Sequence, residues 1–384
     1  MTLPADYPAD LPRVHIADFR GKIDFAILTM RDDEQSAVHG QFPPMAIAEV
    51  EGEGHGRWPY AISWVPTPTG IHTVAMVQCI RQGTTHAQRV ASNTIDDLHP
   101  RWLLAVGIAG GVPSPTFTLG DVVVSSFVHD LSLMAASGPG RTDYAAGGGP
   151  MTERAEQVLS GLGALAPTLK GWNSPRAIRA KAPQLVLENL SIAGDSEYQA
   201  RVITGLKAGF IKGHRRPPRV VLGEIGSSST LIIDPAAAED LCASFRKLIA
   251  FEMEFAGIQA AARNAAPGGR DLPTLTIRGI SDIIGLTREE GWKNYAAHSA
   301  AAFARALIER GRLVSPSLPI SLNATIPSDL SLPLQPIHRS AQHVREALDR
   351  FAVDEKQSHL LQRHISGVAA QLEQQTERLR HGEI

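Results

Sequence analysis

Cysteine is nearly absent from this chain, with two in 384 residues. Cys79 and Cys242 stand far apart in apolar strand-like and helix-like contexts. That spacing excludes a disulfide framework and a zinc ligand set, and two buried free thiols are expected instead. Charge of one sign is lacking too. A formal net charge of -2 and an isoelectric point near 6.7 provide no basic field to hold nucleic acid, so no specific nucleic-acid partner is expected. No uninterrupted apolar stretch approaches the ~18 residues of a membrane span. The amino terminus has prolines and acids where a secretory leader has a basic start and an apolar run, which makes a cytoplasmic protein the expectation. The sequence also lacks an internal repeat, a metal-ligand cluster, a G-x-G-x-x-G turn and the lysine of a phosphate-binding loop, so no metal or cofactor is expected.

What is present is ample apolar material: 43% hydrophobic against 20% charged residues, enough for a substantial core. Strand-like and helix-like patterns alternate from Ile23 to about Arg312, which predicts an α/β fold, a mixed central sheet with helices on both faces. Ile23 to Met30, Ile71 to Cys79, Trp102 to Val106 and Leu119 to Val128 read as strands, and Thr84 to Leu98 as a helix. Ala135 to Pro150 is glycine-rich and reads as a mobile loop. Leu162 to Pro218 is hardest to read. It holds a basic cluster of Lys212, His214, Arg215, Arg216 and Arg219, which reads as a solvated loop or, beside a site, as phosphate contacts from Arg215 and Arg216.

Residues 1–312 are expected to form one catalytic domain. From 313 to 338 the prolines Pro316, Pro319, Pro327, Pro333 and Pro336 mark a linker. Helical spacing returns in 339–384, where Val344, Leu348, Phe351, Leu361, Ile365 and Leu372 form an apolar stripe. Such a stripe needs a surface to cover it, in another copy or a protein partner. The mixed charges beside it and its lack of tryptophan argue against a membrane.

Three strings carry chemistry. Phe251-Glu252-Met253-Glu254-Phe255-Ala256-Gly257 reads as the opening of a helix with two carboxylates two residues apart, which therefore point in different directions. Thr276-Ile277-Arg278-Gly279-Ile280-Ser281-Asp282 reads as a buried strand that presents an aspartate at its carboxyl end, the edge where open α/β sheets bind ligands. Val106-Gly107-Ile108-Ala109-Gly110-Gly111-Val112 is a glycine-rich strand end where backbone can approach a ligand. These residue types suit cleavage of a purine N-glycosidic bond, which builds positive charge on the sugar and negative charge on the departing base. Asp282 is the candidate acid to the base, provided that burial raises its pKa. Glu254 is the candidate acceptor for sugar hydroxyls. Glu34, after the first strand, is the candidate that activates water. Each has a plainer reading, Asp282 as a cap of the next turn, Glu252 and Glu254 as charges at a helix start, and Glu34 as a solvated acid.

Together, over roughly residues 22 to 312, the strings resemble the purine nucleoside phosphorylase and methylthioadenosine/S-adenosylhomocysteine nucleosidase superfamily. Leu119-Gly120-Asp121-Val122-Val123-Val124-Ser125 and Trp292-Lys293-Asn294-Tyr295-Ala296-Ala297 add to the likeness, the latter toward the branch found in NLR-like and bacterial defence proteins. The resemblance implies a three-layer nucleoside phosphorylase-like domain that usually assembles as a homo-oligomer. It places Asp282 at the purine, Glu254 and Met253 at the ribose, and Glu34 at the attacking water. Glu252, Ala109, Gly110, Ser281 and Ile232 complete the substrate contacts that it implies. The pair His129-Asp130 is also similar to one in the nucleosidases. Two departures stand out: Ala105 where phosphorylases carry a phosphate-binding arginine, and Leu231 where nucleosidases stack an aromatic residue on the substrate. The first favours hydrolysis; the second leaves room for another purine substrate, including a nucleotide such as ATP. A phosphorylase with Arg31, Arg81 or Arg89 at the phosphate, and a nucleoside sensor without turnover, remain as alternatives.

Overall fold

The computed structural model describes residues 11–49, 58–132, 134–138, 141–144, 147–187, 190–211, 214–265, 272–311, 313–316 and 318–319. Of the expected linker only 313–316 and 318–319 are among the described residues, and the expected helical extension and Lys212 fall entirely outside them.

Across one half of the sheet the strands follow in the order β1 (Arg13–His15), β3 (Ala46–Glu49), β4 (Tyr60–Thr67), β5 (Gly70–Gln78), β2 (Phe25–Thr29) and β6 (Trp102–Gly111). Every residue of β2 is buried, because β5 and β6 flank it in parallel and both of its faces are covered. Beyond β6 the sheet closes on itself. β15 (Thr274–Ile283) runs parallel to β6 and antiparallel to β7 (Val122–Asp130), β7 is parallel to β13 (Val220–Ser227), and β13 to β14 (Leu248–Glu252). β14 then returns antiparallel to β6 through Ala250–Gly111 and Phe251–Gly110. This ring of five strands brings the ends of β14 and β15 to opposite sides of β6.

Two helix pairs cover the sheet. α1 (Asp32–Gln41) packs on α8 (Glu290–Arg310), and α2 (Thr84–Leu98) on α7 (Phe255–Asn264). α2 buries Ala87, Val90, Ala91, Thr94, Ile95 and Leu98, the spacing of one helical face. α8 presents small residues from Ala296 to Ala306 to the sheet, so its backbone lies close to β15 and β6. The fold is a mixed α/β architecture of the expected class.

Local readings were partly right. The β2, β5 and α2 segments fall where the patterns placed them, whereas β6 runs on through the glycines to Gly111. Phe251 and Glu252 do not open a helix; they end β14, and α7 begins only at Phe255, because pairing with β13 and β6 outweighs the helix preference of the glutamates. The stretch from Ala135 to Pro150 is not a loop throughout. β8 (Met134–Gly138) pairs with β9 (Arg141–Tyr144), and β10 (Gly147–Pro150) adds to the edge of β7, whose backbone supplies the partners that a run of glycines does not advertise. The hard-to-read region holds the end of α3 (Glu153–Leu165), then α4 (Pro175–Ile178), α5 (Ser196–Gly209), β11 (Phe210–Ile211) and β12 (His214–Arg215). The Asp195 carboxylate starts α5 by accepting the Tyr198 N–H at 2.8 Å. α6 (Pro235–Ser244) begins the same way, with Asp234 before Pro235. β16 (Leu318–Pro319) adds antiparallel to β5.

One close approach sets the site. A methyl group on Gly257 would overlap the carbonyl of Thr84 and come within 3.1 Å of the Gln88 nitrogen, so this glycine lets the start of α2 close on α7. Gly257→Ala is expected to destabilise the fold by ~1–3 kcal/mol through overpacking against backbone. A urea midpoint equal to that of the parent protein would show that the two helices slide apart at no cost.

Candidate active site

The centre of the site is the small-residue stretch of β6. A side chain at Gly107 would overlap both the Glu34 carboxylate and the Arg278 guanidinium, so glycine there makes room for an ion-rich cluster. Glu34 reaches it from the first turn of α1 and is only 3% exposed. Its Oε2 accepts the N–H groups of Met30 at 2.8 Å and Arg31 at 3.1 Å, and its Oε1 that of Ile108 at 2.8 Å. Burial pushes its pKa up, against the pull of Arg278 and of the Met30 and Ile108 amides. Glu34 is thus a fixed, buried carboxylate and not the solvated acid that its neighbours in sequence suggest.

β15 and β14 supply the rest from either side of β6. Arg278, opposite Gly107 in register, is wholly buried; its Nη2 donates to Glu252 Oε2 at 2.6 Å and lies 3.8 Å from Glu254 Oε2. Its Nε and Nη1 are buried without a hydrogen-bond partner. Glu252 also accepts the N–H groups of Glu254 at 3.1 Å and Phe255 at 3.0 Å, which makes it the carboxylate that caps α7 and anchors Arg278. Glu254, the residue before α7, accepts the Gly83 N–H at 3.4 Å from the loop ahead of α2. The two glutamates therefore diverge, as their spacing implies. Met253 lies half-buried in the turn between them. Burial, and after it the charge of Glu252, pushes the Glu254 pKa up to about 8. The Cys79 thiol is pushed up to about 12 by burial and by Glu254 and Glu34, so it is an inert buried thiol.

The raised acid has a consequence for folding. Between its ordinary 4.5 and about 8, folded Glu254 holds a proton that the unfolded chain has lost, so stability falls as pH rises through that window. Glu254→Gln is expected to flatten this fall, read as the urea midpoint from pH 5 to 8. Parallel pH profiles in parent and variant would overturn the assignment of the proton to Glu254.

Asp282 stands at the other end of the cluster. The ladder between β15 and β6 slips between Ile280 and Asp282, and the extra residue, Ser281, forms a bulge of the kind that re-aims side chains beside functional sites. Ser281 Oγ lies 2.6 Å from Asp282 Oδ1 and 3.3 Å from the Ala109 carbonyl oxygen. Arg288 Nε donates to the same Oδ1 at 3.1 Å. Oδ2 lies over Gly110, 3.2 Å from where a Cβ would stand. Ile232 is half-buried in an apolar cluster with Leu131, Phe251 and Ile284.

Other candidates lie elsewhere. Arg215 and Arg216 form neither a solvated loop nor an open phosphate cradle; both turn inward onto Asp121, at 2.5 and 2.6 Å. Asp121 is wholly buried and also accepts the N–H groups of Thr118 and Arg219, so the arginines neutralise a carboxylate that ties β12 to the start of β7. His129 Nε2 pairs with Glu224 at 2.7 Å between Phe127 and Phe245, and Asp130 accepts from Ser132. Arg278 and Arg288 were not singled out from the sequence. Arg278 had a signal, as the lone charge within an apolar strand until Asp282; Arg288 had none. Among the described residues there is no cluster of histidine, cysteine and acids able to hold a metal, and no helix is long and apolar enough to cross a membrane.

Comparison with known proteins bears on the family and the fold. The family model described as the phosphorylase superfamily matches residues 46–310. A death domain-containing ATP nucleosidase from Amphimedon queenslandica is 23% identical over 292 residues, 73% of this chain and 47% of the relative. The chain thus spans about half the length of that relative. The fold is similar to a 5'-methylthioadenosine/S-adenosylhomocysteine nucleosidase from Neisseria meningitidis in complex with methylthio-immucillin-A, with a TM-score of 0.50 and 14% identity over 74% of this chain and 98% of that one. It is likewise similar to such a nucleosidase from Colwellia psychrerythraea 34H in complex with adenine, with a TM-score of 0.51 and 16% identity over 79% and 98%.

Proposed function

We propose, from the premise that the chain belongs to the phosphorylase superfamily, that it hydrolyses the N-glycosidic bond of a purine nucleoside or nucleotide. The observation that carries the reading is the convergence on Gly107 to Gly110 of a doubly anchored buried carboxylate, Glu34, and a second acid, Asp282, with Arg278 and Glu254 beside Glu34. In the reaction the bond from the sugar C1' to the purine nitrogen breaks, and its electron pair leaves with the base. Asp282 supplies a proton to that base, from Oδ2, since Oδ1 already accepts from Ser281 and Arg288. Glu34 takes a proton from the water whose oxygen bonds to C1', and its raised pKa makes it the stronger base for that step. Glu254 holds the ribose hydroxyls.

Water, not phosphate, is the acceptor in this reading, because Ala105 is a wholly buried β6 residue where a phosphorylase would need a cation. The relative that acts on ATP supports a nucleotide substrate, and the likeness to defence proteins supports a role as an effector whose 339–384 segment joins copies or engages a protein partner.

The test is base release by chromatography, with ATP, adenosine, methylthioadenosine and inosine each offered with and without phosphate. Free purine at a rate indifferent to phosphate is the expected result. Strict dependence on phosphate would overturn hydrolysis in favour of phosphorolysis.

A further inference from the structure

The cations around the site differ in whether an acid already claims them. Arg31 is paired with Asp33, Arg278 with Glu252, Arg288 with Asp282 and Lys293 with Glu290. Arg81 and Arg89 make no ion pair with an acid among the described residues, and both are exposed. Arg81 lies two residues before Gly83, whose N–H donates to Glu254. Arg89 lies one turn into α2, with its Nη2 3.2 Å from His86 Nδ1.

The hydrogen-bonding sense of this patch is one-sided. A guanidinium has no acceptor, so His86 Nδ1 must accept from Arg89 and the ring hydrogen sits on Nε2. That Nε2–H is buried and lacks a partner. The indole of Trp58 meets the His86 ring edge-on, with centroids 5.9 Å apart, and its Nε1–H is buried and unpartnered as well. Burial first, and then the charges of Arg89 and Arg81, hold the His86 pKa down. The first turn of α2 contains no acidic residue to neutralise them. Two guanidiniums without an acidic partner among the described residues, and two N–H donors without a partner, thus belong to or adjoin the start of α2, whose preceding Gly83 donates to Glu254.

Resting on the nucleosidase reading with Glu254 at the ribose, we infer that Arg81 and Arg89 receive the 5'-phosphates of a nucleoside polyphosphate, with His86 behind them. This assigns the phosphate contacts to the start of α2 in place of Arg215 and Arg216, and it makes the substrate class a nucleotide. In this assignment the 5' end of a ribose whose hydroxyls face Glu254 is directed along the Gly83 loop, which Arg81 precedes by two residues.

The experiment separates binding from turnover. Calorimetric titration of the full chain carrying Asp282→Asn, which is meant to leave the nucleotide intact, compares ATP, AMP and adenosine at two salt concentrations. ATP is expected to bind more tightly than adenosine by roughly tenfold or more, since bonds between charged groups exceed neutral ones, and added salt should erode the difference. Adding Arg81→Gln and Arg89→Gln should bring the ATP-to-adenosine ratio toward one. Equal affinity for ATP and adenosine before that change, or a preference that survives it, overturns the assignment. Base release by the unmodified chain tests the parent reading on its own: no release from any purine, with the salt-sensitive ATP preference intact, would discard the nucleosidase and leave the phosphate site standing.

Discussion

Replacing Asp282 with asparagine is expected to lower base release by ~10²–10⁴-fold, the usual range for a positioned general acid. The substitution keeps the shape of the side chain. Its oxygen still accepts from Ser281 and Arg288, the two donors seen at Oδ1, so the local network survives. What is lost is the carboxylate oxygen over Gly110, to which the proposed mechanism assigns the proton. The partly exposed pair with Arg288 adds little to stability, and the unfolding free energy measured in urea should change by under ~1 kcal/mol. A leaving group that needs no protonation distinguishes acid catalysis from general damage. A ribosyl substrate that departs as a stable anion, such as nitrophenolate, should lose far less than a purine nucleoside. Full activity toward purines would remove Asp282 from the mechanism, and equal losses on both substrates would reassign it to positioning.

The legibility of this site follows from which contacts are local. Strand β2 and helix α2 were readable because burial on both faces and on one face leave different periodicities within a dozen residues. The place of Asp282 at the end of its strand was readable because the apolar run before it marks β15 locally. The start of α7 was not, since Glu-Met-Glu favours helix locally and becomes strand and turn only through β13 and β6, distant in sequence. The same distance hid the fate of Arg215 and Arg216. Their partner Asp121 lies more than ninety residues earlier, and nothing in the basic cluster announces a buried carboxylate waiting for it. The acidic run at Asp32 to Glu34 looked like surface for a related reason: the backbone amide of Ile108, which pins Glu34, comes from β6.

Arg278 is where fold and chemistry share one group, and its removal is expected to have the largest effect on stability. Arg278→Met keeps much of the side-chain volume in a wholly buried strand position but leaves Glu34, Glu252 and Glu254 without the guanidinium between them. Breaking a buried pair in this way typically costs ~3–5 kcal/mol, because the remaining charge is desolvated and uncompensated. The sign of the pH dependence identifies the cause. Arg278 holds down the pKa values of Glu34 and Glu254 against burial, so without it both rise further and the folded state keeps its protons to higher pH. Stability should therefore fall more steeply with rising pH than in the parent, with the smallest deficit near pH 5 and the largest near pH 8. Urea unfolding at both values measures this directly. A companion Glu252→Gln change should recover part of the loss at pH 8, since it removes one of the stranded acids. A deficit that is the same at both pH values and is not eased by that second change would mean that Arg278 matters for its packing, and that the carboxylates around Gly107 do not depend on its charge.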